Sequence, residues 1–428
     1  MTLDPIHVDG IARLAGRVSR GVDEDDQQDV AETVWAEFLD PLVDDGRVVL
    51  EPLDEVARHR GSIEDLALQE SPFDSQHGLD SGTINPTTFK NGLVIDVSQA
   101  AMAAVPSDLE LHRGRTIVMT AHTQDDTYRL PDARDGDGDG DGNDWQLYDG
   151  GYVRQRALHA PRVDRYEQNV VHALALYLAE SEHALTQADV VEDLLILDGP
   201  LYPTGMLKWA ERDTVLADLL TEDERPRDVV ANYVRLVERF VERDVPLAGF
   251  VKNTAAKAIT RVVRDRTNAP WANDAAFFTR VLTRRDERGE PLTDALTFTG
   301  WFRSRAGTDG VLAADGDALA IERSLDPELY EVTFFVVYDP RDDLLYRVEA
   351  PYAFTRDDEL RERLRMQVLR DVAAERGPPL AVAKADELAH IDRDAKSQLR
   401  ARIEDEFETG RQRAYDDKRW GVDVDELV

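Results

Sequence analysis

The stretch "DLLILDGPLYPTG" (Asp193–Gly205) decides how the chain is read. It enters an unbroken apolar segment, Leu194–Leu197, and stops at Asp198-Gly199-Pro200. A short apolar run closed by turn formers reads as a strand buried on both faces. "GLVIDVS" (Gly92–Ser98) has the same form, with apolar residues leading to Asp96. Between the two, Val163, Tyr166, Val170, Leu174 and Tyr177 fall three or four residues apart and predict a helix over Arg162–Glu182. Further helices are expected at Pro226–Arg243, Thr254–Arg266, Asp357–Arg376 and Ala385–Arg411. Further strands are expected at Arg115–Thr123, Leu247–Lys252, Gly300–Arg305, Glu331–Asp339 and Leu344–Phe354, with a hairpin around Asp149-Gly150-Gly151. Strands alternating with helices after residue 90 indicate the α/β class.

The ends read differently. Residues 1–70 read as helical, with Val30, Val34, Phe38 and Leu42 on one face, and 71–91 read as a Ser/Pro/Gly/Asn-rich loop. The expected organisation is a helical N-terminal region and loop (1–90), a main domain (91–400), and a helix end with an acidic tail (401–428). The main domain is interrupted by the low-complexity acidic insertion 132–144. That insertion resembles a calcium loop, but the twelfth position counted from Asp135 is Gln146 rather than a bidentate Glu, so it reads as a solvated loop.

Composition narrows the chemistry. The 428 residues carry 51 Lys+Arg against 86 Asp+Glu, a formal net charge of −35, and only seven of the basic residues are lysines. Self-repulsion on that scale is screened in concentrated salt, which points to a salt-loving source. Cysteine is absent, which excludes disulfides and thiolate metal sites. No apolar run reaches the length of a membrane span and the N-terminus lacks a secretory signal, so a cytoplasmic protein is expected. Gly-x-x-x-x-Gly-Lys-Ser/Thr, Gly-x-Ser-x-Gly and His-Glu-x-x-His patterns are all missing, which favours carboxylate–metal chemistry over an NTPase or serine hydrolase.

Asp96 and Asp198 are the leading candidates, because carboxylates at the ends of buried strands project into the crevice where α/β sheets bind ligands. Adjacent acids raise each other's pKa and call for a cation between them. Glu167 and Glu180 on the intervening helix are candidate third ligands, and Asp386 and His390, four residues apart on one helix face, are candidate fourth ones. Basic residues concentrate between 247 and 305, where acids no longer outnumber them. Lys257, Arg261, Arg264, Arg284, Arg285, Arg303 and Arg305 could line a phosphate-tracking channel.

In order over about residues 90–395, these segments resemble the archaeal NurA nucleases. "LVIDVS" is similar to the family's first-strand Asp-Gly-Ser motif, with Val97 where Gly is usual, and "LLILDGPL" to its second motif. "LAGFVKNT", "LYRVEAP" and "GPPLAVAKAD" resemble the later segments, with Pro378 in place of a Tyr and Asp386 in place of the closing His. The resemblance implies a ribonuclease H-like core with a mixed central sheet and helical extensions at both ends. It further implies a homodimer, a HerA-type hexameric ATPase as partner, and Mn²⁺-dependent DNA cleavage, with Mg²⁺ as the alternative ion. Cleavage would include 5′-to-3′ exonuclease and single-strand endonuclease action in the resection of double-strand breaks during homologous recombination. Carried over, Asp96, Asp198, Glu167 and Asp386 would hold metal, with Glu180 and His390 as substitutes, and Lys252 would face the scissile phosphate. Two other readings stay open: a catalytically degenerate DNA clamp or ATPase regulator, and a carboxylate glycosidase using Asp96 and Asp198.

Overall fold

The computed structural model describes residues 4–19, 24–125, 145–314 and 319–413. The acidic insertion and the end of the tail therefore lie outside the described residues. One mixed sheet runs through the molecule. Its strands are β1 (Leu42–Asp44), β2 (Arg47–Pro52), β3 (Arg58–Ser62), β4 (Gln76–Thr83), β5 (Thr87–Thr88), β6 (Val94–Val105), β7 (Arg115–His122), β8 (Gln146–Tyr148), β9 (Val153–His159), β10 (Leu195–Asp198), β11 (Leu247–Val251), β12 (Ala295–Thr299), β13 (Phe302–Ser304), β14 (Val332–Asp339) and β15 (Leu344–Pro351). The order is β1-β2-β13-β14-β15-β11-β10-β4-β6-β7-β9-β8, with β12 against β14 and β3, and β5 against β6. Most pairs are antiparallel, but β10 runs parallel to both β4 and β11, and β7 runs parallel to β9. The chain is thus mixed α/β around a large sheet.

Helices cover both faces. On one side the helix Glu167–Gln187 packs on β6 and β7, backed by the helix Glu224–Glu242. Leu79, Met102, Val118, Leu195 and Leu197 point into that layer. On the other side the helix Leu380–Ala389 lies on β4 and β6, and Ile196, Phe250 and Val382 join the core with the helix Asp358–Glu375. Each aliphatic side chain taken fully out of water contributes about 1.5–3 kcal/mol. Side chains alternate along a strand, so the placement of Leu195 and Leu197 on one face puts Ile196 and Asp198 on the other.

Several segments depart from the sequence expectation. The N-terminal region contributes helices Pro5–Ser19 and Glu24–Glu37, but it then turns into β1, β2 and β3 rather than staying helical. Pro41 has no N–H to continue a helical ladder. The expected loop 71–91 contains β4 and β5. "QHGLDSGT" has only Thr83 of the β-branched residues that mark strands; its eight-residue antiparallel pairing with β6 overrides that local preference. β6 does not stop near Ser98 but continues through the alanine-rich stretch to Val105. The expected helix Ala385–Arg411 is two helices, Leu380–Ala389 and Arg393–Glu406. The second starts at Asp392, whose carboxylate accepts the Ala395 N–H at 2.7 Å. Among the described residues no helix is long and apolar enough to cross a membrane.

Candidate metal centre

β4 places the first carboxylate. The parallel register pairs Leu197 with Leu79, so one step further Asp198 stands beside Asp80. Gly78, Asp80 and Gly82 share the face of β4 that looks at the helix Leu380–Ala389. A Cβ at Gly78 would lie 2.2 Å from the Ala381 backbone, and one at Gly82 would lie 2.2 Å from the Ala389 carbonyl oxygen. The two glycines therefore let the helix rest directly on the strand, which carries Asp386 over Asp80. Asp80, Asp198 and Asp386 each offer an oxygen, and these oxygens all lie within 4.8 Å of one another.

Asp198 closes β10 and is followed by Gly199, whose φ of +137° is readily adopted only without a side chain. Lys252, just past β11, lies with Nζ 2.6 Å from Asp198 Oδ2 and 4.0 Å from Asp386 Oδ2. Glu180 enters from the helix on the other face. Its Oε1 accepts the Tyr233 hydroxyl at 2.9 Å and its Oε2 accepts the Ser81 hydroxyl at 3.0 Å.

The charges are poorly compensated. Burial, reinforced by the neighbouring Asp198, pushes the Asp80 carboxyl up to about 8. Burial pushes Glu180 up to about 7, partly offset by its two hydroxyl donors. Burial also raises Asp198, with Lys252 working the other way. Burial disfavours the Lys252 charge, but its bond to Asp198 and the surrounding acids leave its pKa above the ordinary value. Three converging acids with one ammonium, and Glu180 near enough to add its charge, form a site of hard oxygen donors carrying excess negative charge, which suits a divalent cation of the Mg²⁺ or Mn²⁺ type.

A family model described as the NurA domain matches residues 74–391. The chain belongs to the NurA family. Among solved structures it is similar to the NurA nuclease from Sulfolobus solfataricus, at 11% identity over 95% of this chain and 98% of that one, with a TM-score of 0.47. It is also similar to NurA bound to dAMP and manganese, at 10% identity over 94% and 97% of the two chains, TM-score 0.41. A third similar structure is NurA with manganese, at 11% identity over 79% and 94%, TM-score 0.39. No curated protein matches.

Within this NurA chain the structure brings together Asp198, Asp386 and Lys252, adds Asp80, and leaves Glu180 close enough to act electrostatically on Asp80 and Asp198. It does not bring in Asp96, and the expectation at that position is corrected. Asp96 is the third residue of β6 rather than its end, and β6 runs antiparallel to β4. Asp80 pairs with Ala101, five residues beyond Asp96, which is about 17 Å along the strand and on the opposite face. Asp96 is fully buried, accepting the Thr83 hydroxyl at 2.6 Å and the Val97 N–H at 2.8 Å, with His172 Nδ1 2.8 Å from its other oxygen.

Glu167 also stands apart. It opens its helix 13 residues before Glu180, about 20 Å away along the axis, and lines a cleft with Thr88, His122 and Gln124. His390 is exposed just past its helix, donating its backbone N–H to the Asp386 carbonyl at 2.8 Å. Asp80 was hidden by its setting, because a Gly-rich stretch reads as a loop. The signal that could have found it is the alternation Gly78-x-Asp80-x-Gly82, which clears one strand face around an acid.

The basic residues divide. Lys257 and Arg261 are exposed at the start of the helix Ala258–Thr267, five and nine residues after Lys252. Arg264 reaches the Trp271 carbonyl at 3.4 Å, Arg284 pairs with Asp294 at 3.0 Å, and Arg285 donates to the Gly289 carbonyl at 2.8 Å. Arg303 and Arg305 both bind Glu331, and Arg305 also holds Glu51 at 2.8 Å. Arg303 and Arg305 are committed to acids of the protein itself, which argues against a role for this pair as phosphate contacts.

Proposed function

We propose that this chain is a divalent-metal-dependent DNA nuclease. The observation that carries the proposal is the convergence of Asp80, Asp198 and Asp386 at one point, with Glu180 alongside and carboxyls pushed toward neutral pH. Such a site repels itself until a cation arrives. Asp80, Asp198 and Asp386 would hold Mn²⁺ or Mg²⁺, with Glu180 positioned to complete the shell or orient a bound water. When bound, such an ion activates water and offsets charge building on a phosphate. The side chains hold the geometry: Tyr233 and Ser81 fix the Glu180 carboxylate, and Lys252 offers an ammonium beside the site where a scissile phosphate would lie. Lys257 and Arg261 continue a basic path away from Lys252.

Family membership supports the wider reading. That reading comprises a ribonuclease H-like core, a homodimer, and action with a HerA-type hexameric ATPase in DNA end resection, in the cytoplasm of a salt-loving cell. In brine the counterion-release gain on DNA binding is small, so retention of DNA would rest on metal, enclosure and the partner. The test is cleavage of end-labelled single- and double-stranded DNA with Mn²⁺ in high KCl, together with calorimetric Mn²⁺ titration. Absence of Mn²⁺ binding by the wild-type chain would sink the proposal.

A further inference from the structure

Arg347 and Glu349 point to the same face of β15, and both are buried. Arg347 lies 2.8 Å from Asp309 and 2.8 Å from Glu349 Oε1. Buried ion pairs seldom earn their place through stability, since apolar residues of similar volume often serve as well. This pair has a further contact: Glu349 Oε2 accepts the backbone N–H of Leu201 at 2.9 Å.

Leu201 belongs to the turn that follows Asp198. That turn passes directly over Gly249, the register partner of Glu349 on β11. A Cβ at Gly249 would lie 2.7 Å from the Gly199 carbonyl oxygen and 2.8 Å from the Leu201 nitrogen. The turn is also tied to β11 by the Gly199 N–H, which donates to the Phe250 carbonyl at 3.0 Å. Glu349 thus fastens the turn on one side of Gly249, and Phe250 fastens it on the other. Arg347, held by Asp309, works against the burial that raises the Glu349 pKa and keeps the carboxylate aimed at the turn.

We infer that Glu349 is a positioning residue: the buried Arg347–Glu349 pair anchors the turn behind Asp198 and so sets how well Asp198 meets a divalent cation without touching it. The inference rests on the reading of Asp80, Asp198 and Asp386 as a metal site.

The experiment compares full-length wild type, Glu349→Gln and the double variant Arg347→Met/Glu349→Leu, by hydrogen exchange at the Leu201 amide and by Mn²⁺ calorimetry. The double variant avoids leaving either charge of the pair alone, but it removes the acceptor of the Leu201 N–H and the partner of Asp309, so some loss of thermal stability is expected and both readouts are taken on the folded protein. Its Leu201 amide is expected to exchange about tenfold faster, on the order of one lost hydrogen bond, and its Mn²⁺ affinity to fall by a similar factor. Glu349→Gln keeps an acceptor but loses the charge, and is expected to fall between the two. Unchanged Leu201 exchange with unchanged Mn²⁺ affinity in the double variant overturns the inference; if the double variant does not fold, the same outcome in Glu349→Gln does so. If wild type binds no Mn²⁺, the metal reading fails, while the exchange arm still decides whether Glu349 holds the turn.

Discussion

Asp80 and Asp96 lie on neighbouring antiparallel strands of one sheet, and they have opposite surroundings. Asp96 is fully buried and met by a hydroxyl, a backbone N–H and an imidazole. Asp80 faces Asp198 and Asp386, feels the charge of Glu180 from across the strand, and has Lys252 as the nearby cation. A buried carboxylate whose oxygens are all met is a structural strut. One surrounded by other acids has no internal solution and needs an ion or a proton. The difference between them is compensation rather than burial.

The sharpest way to break this comparison is substitution at both positions. Asp80→Ala and Asp198→Ala should each lower Mn²⁺-dependent DNA cleavage by about a hundredfold or more, whereas Asp96→Ala should leave Mn²⁺ affinity unchanged by calorimetry. Equal loss of Mn²⁺ binding at Asp80 and Asp96 would erase the distinction.

A second test uses protons. Asp80 near 8 and Glu180 near 7 hold protons at neutral pH that a metal must displace. Mn²⁺ affinity should therefore rise from pH 6 to 9 by up to about tenfold per unit, with proton uptake by buffer visible in calorimetry, and then flatten. A flat profile over that range would show the acids to be ionised already.

The third expected effect belongs to Asp96. Asp96→Ala leaves Thr83, the Val97 N–H and His172 without their acceptor, so unfolding free energy measured by denaturant should fall by about 2–4 kcal/mol.

The smallest effect has the opposite sign. The Asp80 pKa is higher in the folded state than in the unfolded chain. Its protonated form therefore supports folding at low pH, and that support is lost as pH rises from the ordinary carboxylate range through about 8. Asp80→Asn removes the titration, so the metal-free variant should melt about 3 °C or more above wild type at pH 8. No gain at pH 8 would mean that the charges are better solvated than their burial implies.

These two acids also show what could be read from residues alone. The buried strand before Asp198, the strand before Lys252 and the α/β alternation are carried by local apolar pattern, and pattern survives in sequence. Asp96 follows the same local pattern as Asp198, which is why it was expected in the site. What separates them is register and direction: β10 runs parallel to β4, and β6 runs antiparallel to it. Neither is written in either strand. Asp80 was missed because "HGLDSGT" owes its strand to its partners, and its glycines serve a helix some 300 residues further on. Glu180 and Glu167 look alike on one helix, and only the Tyr233 and Ser81 hydroxyls single out the former. Arg303 and Arg305 belong to the stretch where acids no longer outnumber basic residues, but Glu331 and Glu51, outside it in sequence, claim them.

The helix resting on Gly78 and Gly82 has a consequence for how the protein is made. Asp386 emerges from the ribosome roughly 300 residues after Asp80. A growing chain can pair its early strands, but it cannot gather the three carboxylates until Leu380–Ala389 settles onto β4. Truncated or half-folded copies would therefore hold an incomplete set of ligands, and on the proposed function they would cut no DNA until the helix Leu380–Ala389 docks.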